Sequence, residues 1–276
     1  MHNFLLLGGD SRQLYLNQIL IKNGFQTTFH YSSGDSSFSM EEALKNSDAI
    51  LCPIPFTRDK INLFSVNGME DLGIGNLLSL LTSDHTLFGG NIPAYVKEYA
   101  GENGIACFDY MDMEDVTVKN TIATAEGAIA EAIRLSPGCL HKSKCLVTGF
   151  GRCAKTLAMK LKGLDADVTI AGRKETQLVV ADSMGLHTKA LSELSIDMGN
   201  YQFIFNTIPA LVLEKDLIRS MDPDVTIIDI ASAPGGVDFD FCRQQNIRAK
   251  LCPGLPGIYA PRDSAEILFE AIVKYL

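Results

Sequence analysis

The sequence predicts an α/β protein that consists of two domains. Short apolar segments alternate with segments of helical periodicity along both halves of the chain, which is the pattern of parallel β-sheets whose strands are joined by helices. A longer helical pattern in the middle of the chain separates the two alternating regions. The length of 276 residues suits two domains of ordinary size.

The first alternating region predicts five strands and three helices, and we expect it to form a flavodoxin-like α/β domain. Two segments rich in Ser, Gly, Asp and Asn are predicted loops. The predicted strands are residues 4–7, 26–30, 49–53, 86–88 and 105–108, the helices are residues 12–23, 40–45 and 93–102, and the loops are residues 32–39 and 57–67.

A predicted helix over residues 118–136 links the two regions. From Thr121 onward this segment is rich in Ala, Ile and Glu, and its apolar residues follow helical spacing. Pro137 and Gly138 follow it, as is typical of a helix end. The predicted domain boundary therefore divides the chain into residues 1–136, which end in the linking helix, and residues 137–276.

The second alternating region predicts six strands and four helices. This is enough for a doubly wound parallel sheet of the Rossmann type. The predicted strands are residues 144–148, 167–171, 186–188, 203–206, 226–229 and 248–251, and the helices are residues 152–163, 174–184, 238–245 and 263–275.

Composition and charge exclude several classes of function. A net charge of −9 and a pI near 5.0 argue against nucleic acid as a partner, because its binding depends on clustered positive charge. The N-terminal stretch lacks the basic residues and the long apolar core of a secretory signal. No segment approaches the ~18 consecutive apolar residues of a membrane helix. We therefore expect a cytoplasmic protein with no membrane partner.

Cysteine and histidine spacing predicts no metal site. The seven cysteines are scattered without a CxxC pair, which is typical of reduced thiols, and the five histidines show no HxxH or HExxH spacing. No catalytic triad is evident from the sequence either. The pattern therefore names no catalytic base.

The segment GFGRCA, residues 149–154, fits the pattern G-x-G-x-x-(G/A) between a predicted strand and a predicted helix. Gly149 permits the tight turn, Gly151 lets a pyrophosphate approach the backbone, and Ala154 lets the helix pack closely on the sheet. Phe150 and Arg152 complete the expected contact with the phosphates, which would lie at the helix N-terminus. The alternative is a tight turn without a ligand.

Two cations follow the next predicted strand, where an NAD-binding enzyme usually places an acidic residue for the ribose hydroxyl. These are Arg173 and Lys174. Because an arginine here accommodates the 2′-phosphate of NADP, we expect NADP as the cofactor, with NAD possible. Arg173 as a solvated loop residue is the alternative.

Three turns rich in Pro, Gly and small polar residues follow later predicted strands, so they should lie at the edge of the sheet where ligands bind. Ordinary turn chemistry is the alternative for each turn. The expected cofactor contacts are Asn206, Thr207, Ile208, Pro209 and Ala231, and the expected substrate contacts are Ser232, Pro256 and Gly257.

In the first domain, the turn after the first strand is a candidate carboxylate site. Exposed amides at Gly9 and Asp10 would lie beside the Arg12 guanidinium. Asp10 as the N-cap of the following helix is the alternative. Arg58, in the loop after residues 52–55, is a second candidate for an anion contact.

Six motifs occur in a set order along the chain, namely GGDSRQ, NTIATAEGAI, GFGRCA, FNTIP, DIASAPGGVDF and PGLPGIYAP. Together they resemble the family of the A subunit of dipicolinate synthase, over nearly the whole chain and most strongly over residues 120–261. The resemblance implies NAD(P)-dependent oxidation of dihydrodipicolinate to dipicolinate (pyridine-2,6-dicarboxylate) for spore formation. It also implies a smaller N-terminal domain, beside a Rossmann domain, and a partner in the form of a separate, flavoprotein-like B subunit.

On this resemblance, residues 1–136 are expected to hold the substrate, and we expect a homo-oligomer. Thr124 and Glu126 in the motif TAEGAI become candidate substrate contacts, although helix polarity alone would also explain Glu126. Two other functions stay open. One is a related two-domain dehydrogenase of hydroxy or amino acids, and the other is a cofactor-binding protein that regulates or docks a flavoprotein.

Overall fold

The computed structural model describes residues 3–30, 39–68 and 72–275. The predicted fold class is confirmed, because the described residues form two parallel sheets, of five and six strands, with helices between the strands. The chain divides into two compact units, Met1–Asn120 with Ala260–Leu276, and Thr121–Tyr259. Residues 32–38 of one predicted loop lie outside the described residues.

The first unit contains the five-stranded sheet. Its strands are β1 (Asn3–Leu7), β2 (Gln26–His30), β3 (Ala49–Leu51), β4 (Thr86–Gly89) and β5 (Ala106–Asp109), and its first four helices are α1 (Ser11–Lys22), α2 (Met40–Lys45), α3 (Ile74–Leu80) and α4 (Ala94–Glu102). The order β2-β1-β3-β4-β5, with all neighbours parallel, is the flavodoxin-like order.

Local sequence explains where these elements begin. Strand β1 is apolar, and its residues from Phe4 to Leu7 are fully buried, as expected for a central parallel strand covered on both faces. Helix α1 begins after Asp10, whose side chain accepts a hydrogen bond from the backbone N–H of Arg12. Helix α2 begins with a capping box formed by Ser39 and Glu42.

The linking helix α5 (Glu114–Leu135) begins four residues earlier than predicted. Its first turn carries Glu114 and Asp115, and acidic side chains there interact favourably with the helix dipole. The sequence segment before Thr121 lacks the Ala-rich composition of the rest of the helix, so composition alone placed the start too late.

The second unit contains the six-stranded sheet. Its strands are β6 (Lys144–Thr148), β7 (Asp167–Gly172), β8 (His187–Ala190), β9 (Phe203–Asn206), β10 (Thr226–Asp229) and β11 (Arg248–Leu251), and its helices after α5 are α6 (Arg152–Gly163), α7 (Glu175–Ser183), α8 (Lys215–Arg219), α9 (Phe239–Gln244) and α10 (Leu255–Tyr259). The strand order β8-β7-β6-β9-β10-β11 is the order of the doubly wound dinucleotide-binding sheet.

The last helix, α11 (Pro261–Ile272), belongs to the first unit, whereas the predicted boundary at 136/137 places it in the second domain. Its residues Leu268 and Ile272 are buried in one cluster with Leu16 and Leu20 of α1. The sequence shows the amphipathic pattern of α11 but not which sheet its apolar face covers, so the boundary differs from the prediction.

Short helices are the elements that the sequence pattern did not predict. They are α3, α8, α10 and two 3₁₀ segments, Leu191–Ile196 and Met198–Asn200. Helix α10 has five residues and includes Pro256 and Gly257, two residue types that are typical of turns. Gly127 of α5 packs against it, since a Cβ at Gly127 would lie 2.8 Å from Tyr259 Cδ2.

Candidate functional site

The glycine turn after β6 connects the strand to helix α6. Gly149 has φ +89°, and a Cβ there would lie 2.6 Å from Thr207 Oγ1, so the fold itself requires glycine at this position. Gly151 is different. Its backbone is extended, with φ −81° and ψ −169°, and a Cβ there would meet no atom within 4 Å. Packing does not require glycine at Gly151, whose bare backbone faces open space.

Helix α6 presents its N-terminus at the same place. Gly151 is the N-cap, and no side chain makes a capping hydrogen bond to the first turn. Backbone N–H groups at such a helix start favour an anion, as does the helix dipole. Phe150 is buried and Arg152 is exposed, so Phe150 can offer a ligand only its main chain while the Arg152 side chain reaches the surface. These residues fit a pyrophosphate.

The next strand, β7, ends beside a surface cavity of about 350 Å³. The cavity is lined by Gly172, Arg173, Ala190, Leu191 and Ser192, and none of these five residues is acidic. Arg173 and Lys174 are both exposed, and Lys174 is the N-cap of α7. The cavity thus joins the carboxyl ends of β7 and β8, with one guanidinium at its wall.

Three buried polar residues join the carboxyl ends of β6, β9 and β10. Thr148, Asn206 and Asp229 are each 0% exposed. Thr148 Oγ1 donates to Asn206 Oδ1 at 2.6 Å, and Asn206 Nδ2 donates to Asp229 Oδ1 at 2.9 Å. The backbone N–H groups of Ala231 and Gly236 donate to Asp229 at 2.9 and 2.7 Å. The network fixes the loop that follows β10.

Burial governs the charge of this network. Desolvation raises the pKa of the Asp229 carboxyl above its usual value, against the opposing effect of its hydrogen bonds from Gly236, Ala231 and Asn206. Asn206, Ala231 and Gly236 all donate to the Asp229 carboxylate, which thereby stabilises the loop after β10. The N–H of Ala231, an expected cofactor contact, is one of these engaged donors, so this residue could meet a ligand only through its other atoms.

The turn after β9 is held by its own hydrogen bonds. Thr207 donates from its N–H and its Oγ1 to the carbonyl of Thr148, at 3.2 and 2.7 Å. Ile208 donates its N–H to Asn206 Oδ1 at 3.2 Å, and its carbonyl accepts from Asn206 Nδ2 at 3.0 Å. Pro209 is exposed at the tip of the turn, while Thr207 and Ile208 are half-buried.

The predicted substrate contacts of the second unit lie in different environments. Ser232 is exposed, and its carbonyl accepts a turn hydrogen bond from Gly235 at 2.9 Å. Pro256 and Gly257 lie inside α10 instead of in the predicted turn, and Gly257 is buried.

Two further candidates lie on the linking helix α5. Glu126 is exposed and pairs with Lys160 of α6 at 2.8 Å, while Thr124 is half-buried. Nearby, Thr121 and Thr156 share a hydrogen bond of 2.7 Å between their hydroxyls. Both pairs join α5 to α6. Glu126 therefore has a structural partner, Lys160, that accounts for its charge without a substrate.

In the first unit, the turn after β1 is engaged within the protein. The Gly9 N–H donates to the carbonyl of Phe64 at 2.7 Å, and the Gly9 carbonyl accepts from the Val66 N–H at 3.0 Å. Asp10 caps α1, as the alternative interpretation proposes. Its carboxylate also accepts two hydrogen bonds from the Arg12 guanidinium, at 2.9 and 2.7 Å.

Arg12 is itself buried, with 8% of its surface exposed. Besides the fork to Asp10, its Nη2 donates to the carbonyl of Ile54 in the loop after β3. The guanidinium therefore ties two loops together. Its use as a carboxylate anchor would require it to leave these partners.

Sequence reasoning missed Thr148 and Ser192, and it placed Asp229 at the start of an expected turn without predicting its buried hydrogen bonds. Thr148 and Asp229 each end an apolar strand with a polar side chain, which is a signal that the sequence carries. Ser192 lies in an unpredicted 3₁₀ segment and had no such signal.

Within the described ranges, no group of three or more His, Cys, Asp or Glu side chains is arranged to hold a metal ion. Among the same residues, no helix has the length and apolar character to cross a membrane.

Comparisons with known proteins agree with the architecture. A sequence model of the family described as the N-terminal domain of the A subunit of dipicolinate synthase matches residues 3–111. The dipicolinate synthase A subunit of Bacillus subtilis (strain 168) is 30% identical to this chain, over 98% of this chain and 94% of that protein.

Solved structures give the same result. The crystal structure of the dipicolinate synthase A subunit from Bacillus halodurans matches with a TM-score of 0.88 and 27% identity, covering 99% of this chain and 97% of that one. An L-alanine dehydrogenase, at 12% identity and a TM-score of 0.63, covers 98% of this chain and 88% of its own, and shares the fold alone. Since a relative is 30% identical over nearly the whole of both proteins, the chain belongs to the family of the A subunit of dipicolinate synthase.

Proposed function

We propose that the chain is an NADP-dependent oxidoreductase that converts dihydrodipicolinate to dipicolinate. The observation that carries the proposal is the turn at Gly149 and Gly151. One glycine is required by the fold, whereas the other leaves bare backbone and a helix N-terminus facing open space. A coenzyme pyrophosphate would fit there, held by the first-turn amides of α6.

The adenosine end of the coenzyme would lie at the carboxyl ends of β7 and β8. Arg173 at the wall of the 350 Å³ cavity favours a 2′-phosphate, because a guanidinium binds a phosphate through two hydrogen bonds and its charge. No acidic residue lines the cavity to hold a free ribose 2′-hydroxyl. NADP is therefore the preferred coenzyme, and NAD would bind more weakly.

When bound, the nicotinamide supplies the hydride acceptor, and dihydrodipicolinate loses one hydride to it and one proton to solvent as the ring becomes aromatic. Aromatisation supplies much of the driving force, so the protein mainly positions the substrate and excludes water. The network of Thr148, Asn206 and Asp229 would serve this role by fixing the backbone of the two turns at the strand ends.

The family membership supports three further parts of the proposal. An A subunit of dipicolinate synthase implies a B subunit, which we take to be a flavoprotein-like partner. The product would serve spore formation, and the reaction would take place in the cytoplasm. We also propose that the chain forms a homo-oligomer.

Calorimetric titration with NADP⁺, NADPH, NAD⁺ and NADH tests the coenzyme. We expect Arg173→Ala to lower the preference for NADP over NAD by about tenfold, since about 1.4 kcal/mol of charge-assisted bonding is lost. Arg219→Ala is the matched control, because it removes the same charge from an exposed helix position. An unchanged preference in Arg173→Ala would remove the argument for NADP.

An assay of dipicolinate formation tests the reaction. The purified chain is incubated with dihydrodipicolinate and NADP⁺, with and without the B subunit, and the pyridine chromophore is followed. Coenzyme binding without turnover in either mixture contradicts the oxidation and leaves docking or regulation of a flavoprotein as the function.

A further inference from the structure

Arg58 lies in the loop that follows β3 in the first unit. In the strand order β2-β1-β3-β4-β5, the chain reverses direction across the sheet between β1 and β3, and ligands of such sheets bind outside the carboxyl ends of the strands at this switch point. The loop lies at that edge, because its residue Phe64 accepts the N–H of Gly9 from the turn after β1.

The Arg58 guanidinium is held in place by an aromatic ring. Its central carbon lies 3.9 Å from the centroid of Phe64, which is itself 5% exposed. This contact restricts the guanidinium, so less freedom is lost when a planar carboxylate binds. Within the described part of the chain, no acidic side chain pairs with Arg58, which is exposed.

The loop around Arg58 is built as a fixed turn. Asp59 accepts hydrogen bonds from the backbone N–H groups of Ile61 and Asn62, both at 2.8 Å, and from Asn62 Nδ2 at 2.8 Å. Hydrogen bonds from Asn62 and Ile61 hold the pKa of the Asp59 carboxyl well below its usual range. Asp59 remains a nearby negative charge, but its oxygens are directed into its own turn.

Two other cations of this unit, Lys97 and Arg12, have acidic partners. Lys97 pairs with Asp109 and Asp112 at 2.8 Å, and Arg12 is enclosed by Asp10 and Ile54. Lys60, also exposed in the loop, lacks an aromatic platform among the described residues. Among these four described cations, Arg58 is thus the one whose geometry suits a planar carboxylate at the switch point.

We propose that Arg58 binds one carboxylate of a small planar dicarboxylate, and that it takes the role that the sequence suggested for Arg12. The inference rests on the proposed function and adds to it a substrate contact on the first unit. A phosphate group of the coenzyme is the competing anion, and titration with NADPH distinguishes it from the dicarboxylate.

The test is calorimetric titration of the 276-residue chain with pyridine-2,6-dicarboxylate and, separately, with NADPH. Loss of a bidentate charge-assisted contact in Arg58→Ala raises the Kd for the dicarboxylate by about 10- to 100-fold and leaves the Kd for NADPH unchanged. Arg58→Lys keeps the charge but not the planar fork, so its Kd is intermediate. Lys60→Ala, the matched control two residues away, stays within about twofold of wild type, because an exposed charge without a fixed geometry contributes little.

Three results overturn the inference. They are a dicarboxylate Kd of Arg58→Ala within a factor of two of wild type, an effect of Arg58→Ala on NADPH instead, and no binding of the dicarboxylate by the wild-type chain. Failure of the proposed function is read separately, from the absence of coenzyme binding by the wild-type chain. Because Arg58 is exposed, the variant is expected to fold, and circular dichroism checks this.

Discussion

At the scale of single residues, the two glycines of the GFGRCA turn have different physical causes. Gly149 is required by the protein, since its positive φ and the closeness of Thr207 exclude any side chain. Gly151 has an extended backbone that any residue can adopt, and a Cβ there would meet nothing. A ligand explains Gly151 where packing does not, so a side chain at this position separates binding from folding.

We expect Gly151→Val to abolish measurable coenzyme binding with little loss of stability. The branched side chain would occupy the space that a pyrophosphate needs, while it meets no protein atom. Gly163→Val, at the other end of the same helix and also with open space around its Cβ, is the matched control. Calorimetry measures the binding and urea unfolding the stability. Coenzyme affinity equal to wild type in Gly151→Val would contradict the proposed site.

Single residues also show where sequence reasoning stops. The cap at Asp10 could be stated as an alternative because it depends on residues two positions away. The partner of Arg12 at Ile54 is 42 positions away and reaches it only through the parallel pairing of β1 and β3. The sequence shows that an arginine stands at position 12, but only the fold shows that its guanidinium is already bonded within the protein.

At the scale of elements, the linking helix α5 is joined to the edge strand β11 by one buried acid. Glu131, 7% exposed, pairs with Lys250 of β11 at 2.8 Å and with Arg134 of its own helix at 2.7 Å. Burial raises the pKa of the Glu131 carboxyl, but hydrogen bonds from Lys250, Arg134 and Tyr259 outweigh it and lower the pKa to about 2. The charged form is therefore stabilised in the folded state.

This shift predicts a pH-dependent contribution to stability. Because the native pKa lies below the ordinary value of 4.5, the contribution is complete above that value and is lost as the pH falls from 4.5 through about 2. We expect Glu131→Gln to lower the free energy of unfolding by about 2 kcal/mol at neutral pH, and by much less near the lower limit. Urea unfolding across this pH range measures the difference.

The control for this prediction is Glu126→Gln on the same helix. Its partner Lys160 lies at 2.8 Å, but the Glu126 side chain is 58% exposed, so its removal should cost less than about 0.5 kcal/mol at any pH. A cost of Glu131→Gln that does not change with pH would show that packing, and not the charge, is what the acid contributes.

Element length explains part of what the sequence could predict. Every predicted strand has a counterpart in the structure, and every helix of nine or more residues was predicted, whereas the seven-residue α3 was not. Helices α8 and α10 have five residues each, too few to show a period, and α10 also contains Pro256. The failure to predict α10 affects the candidate site, because two predicted substrate contacts, Pro256 and Gly257, lie in this helix.

At the scale of the whole molecule, the two units have separate hydrophobic cores. Each of the buried clusters that the described residues form lies in one unit only. Helix α11 belongs to the first unit, since it supplies Leu268 and Ile272 to the cluster of β1 and α1. The predicted boundary placed α11 in the second domain, because periodicity shows that a helix has an apolar face but not which sheet that face covers.

Separate cores predict that coenzyme and core substitutions act on different units. NADPH at a hundredfold its Kd should stabilise the second unit by about 2.7 kcal/mol and leave the first unchanged. Leu268→Ala should do the reverse: it removes a side chain that is 4% exposed and should lower the stability of the first unit by about 2 to 5 kcal/mol, without changing coenzyme affinity.

Hydrogen exchange followed by mass spectrometry assigns each change to Met1–Asn120 with Ala260–Leu276, or to Thr121–Tyr259. Val273→Ala, at the C-cap of α11 and 40% exposed, is the control and should change the stability by less than about 0.5 kcal/mol. If Leu268→Ala lowers protection equally in both units, the two cores unfold as one. Coenzyme binding would then stabilise the whole chain, and the two units would be separate in their contacts but not in their unfolding.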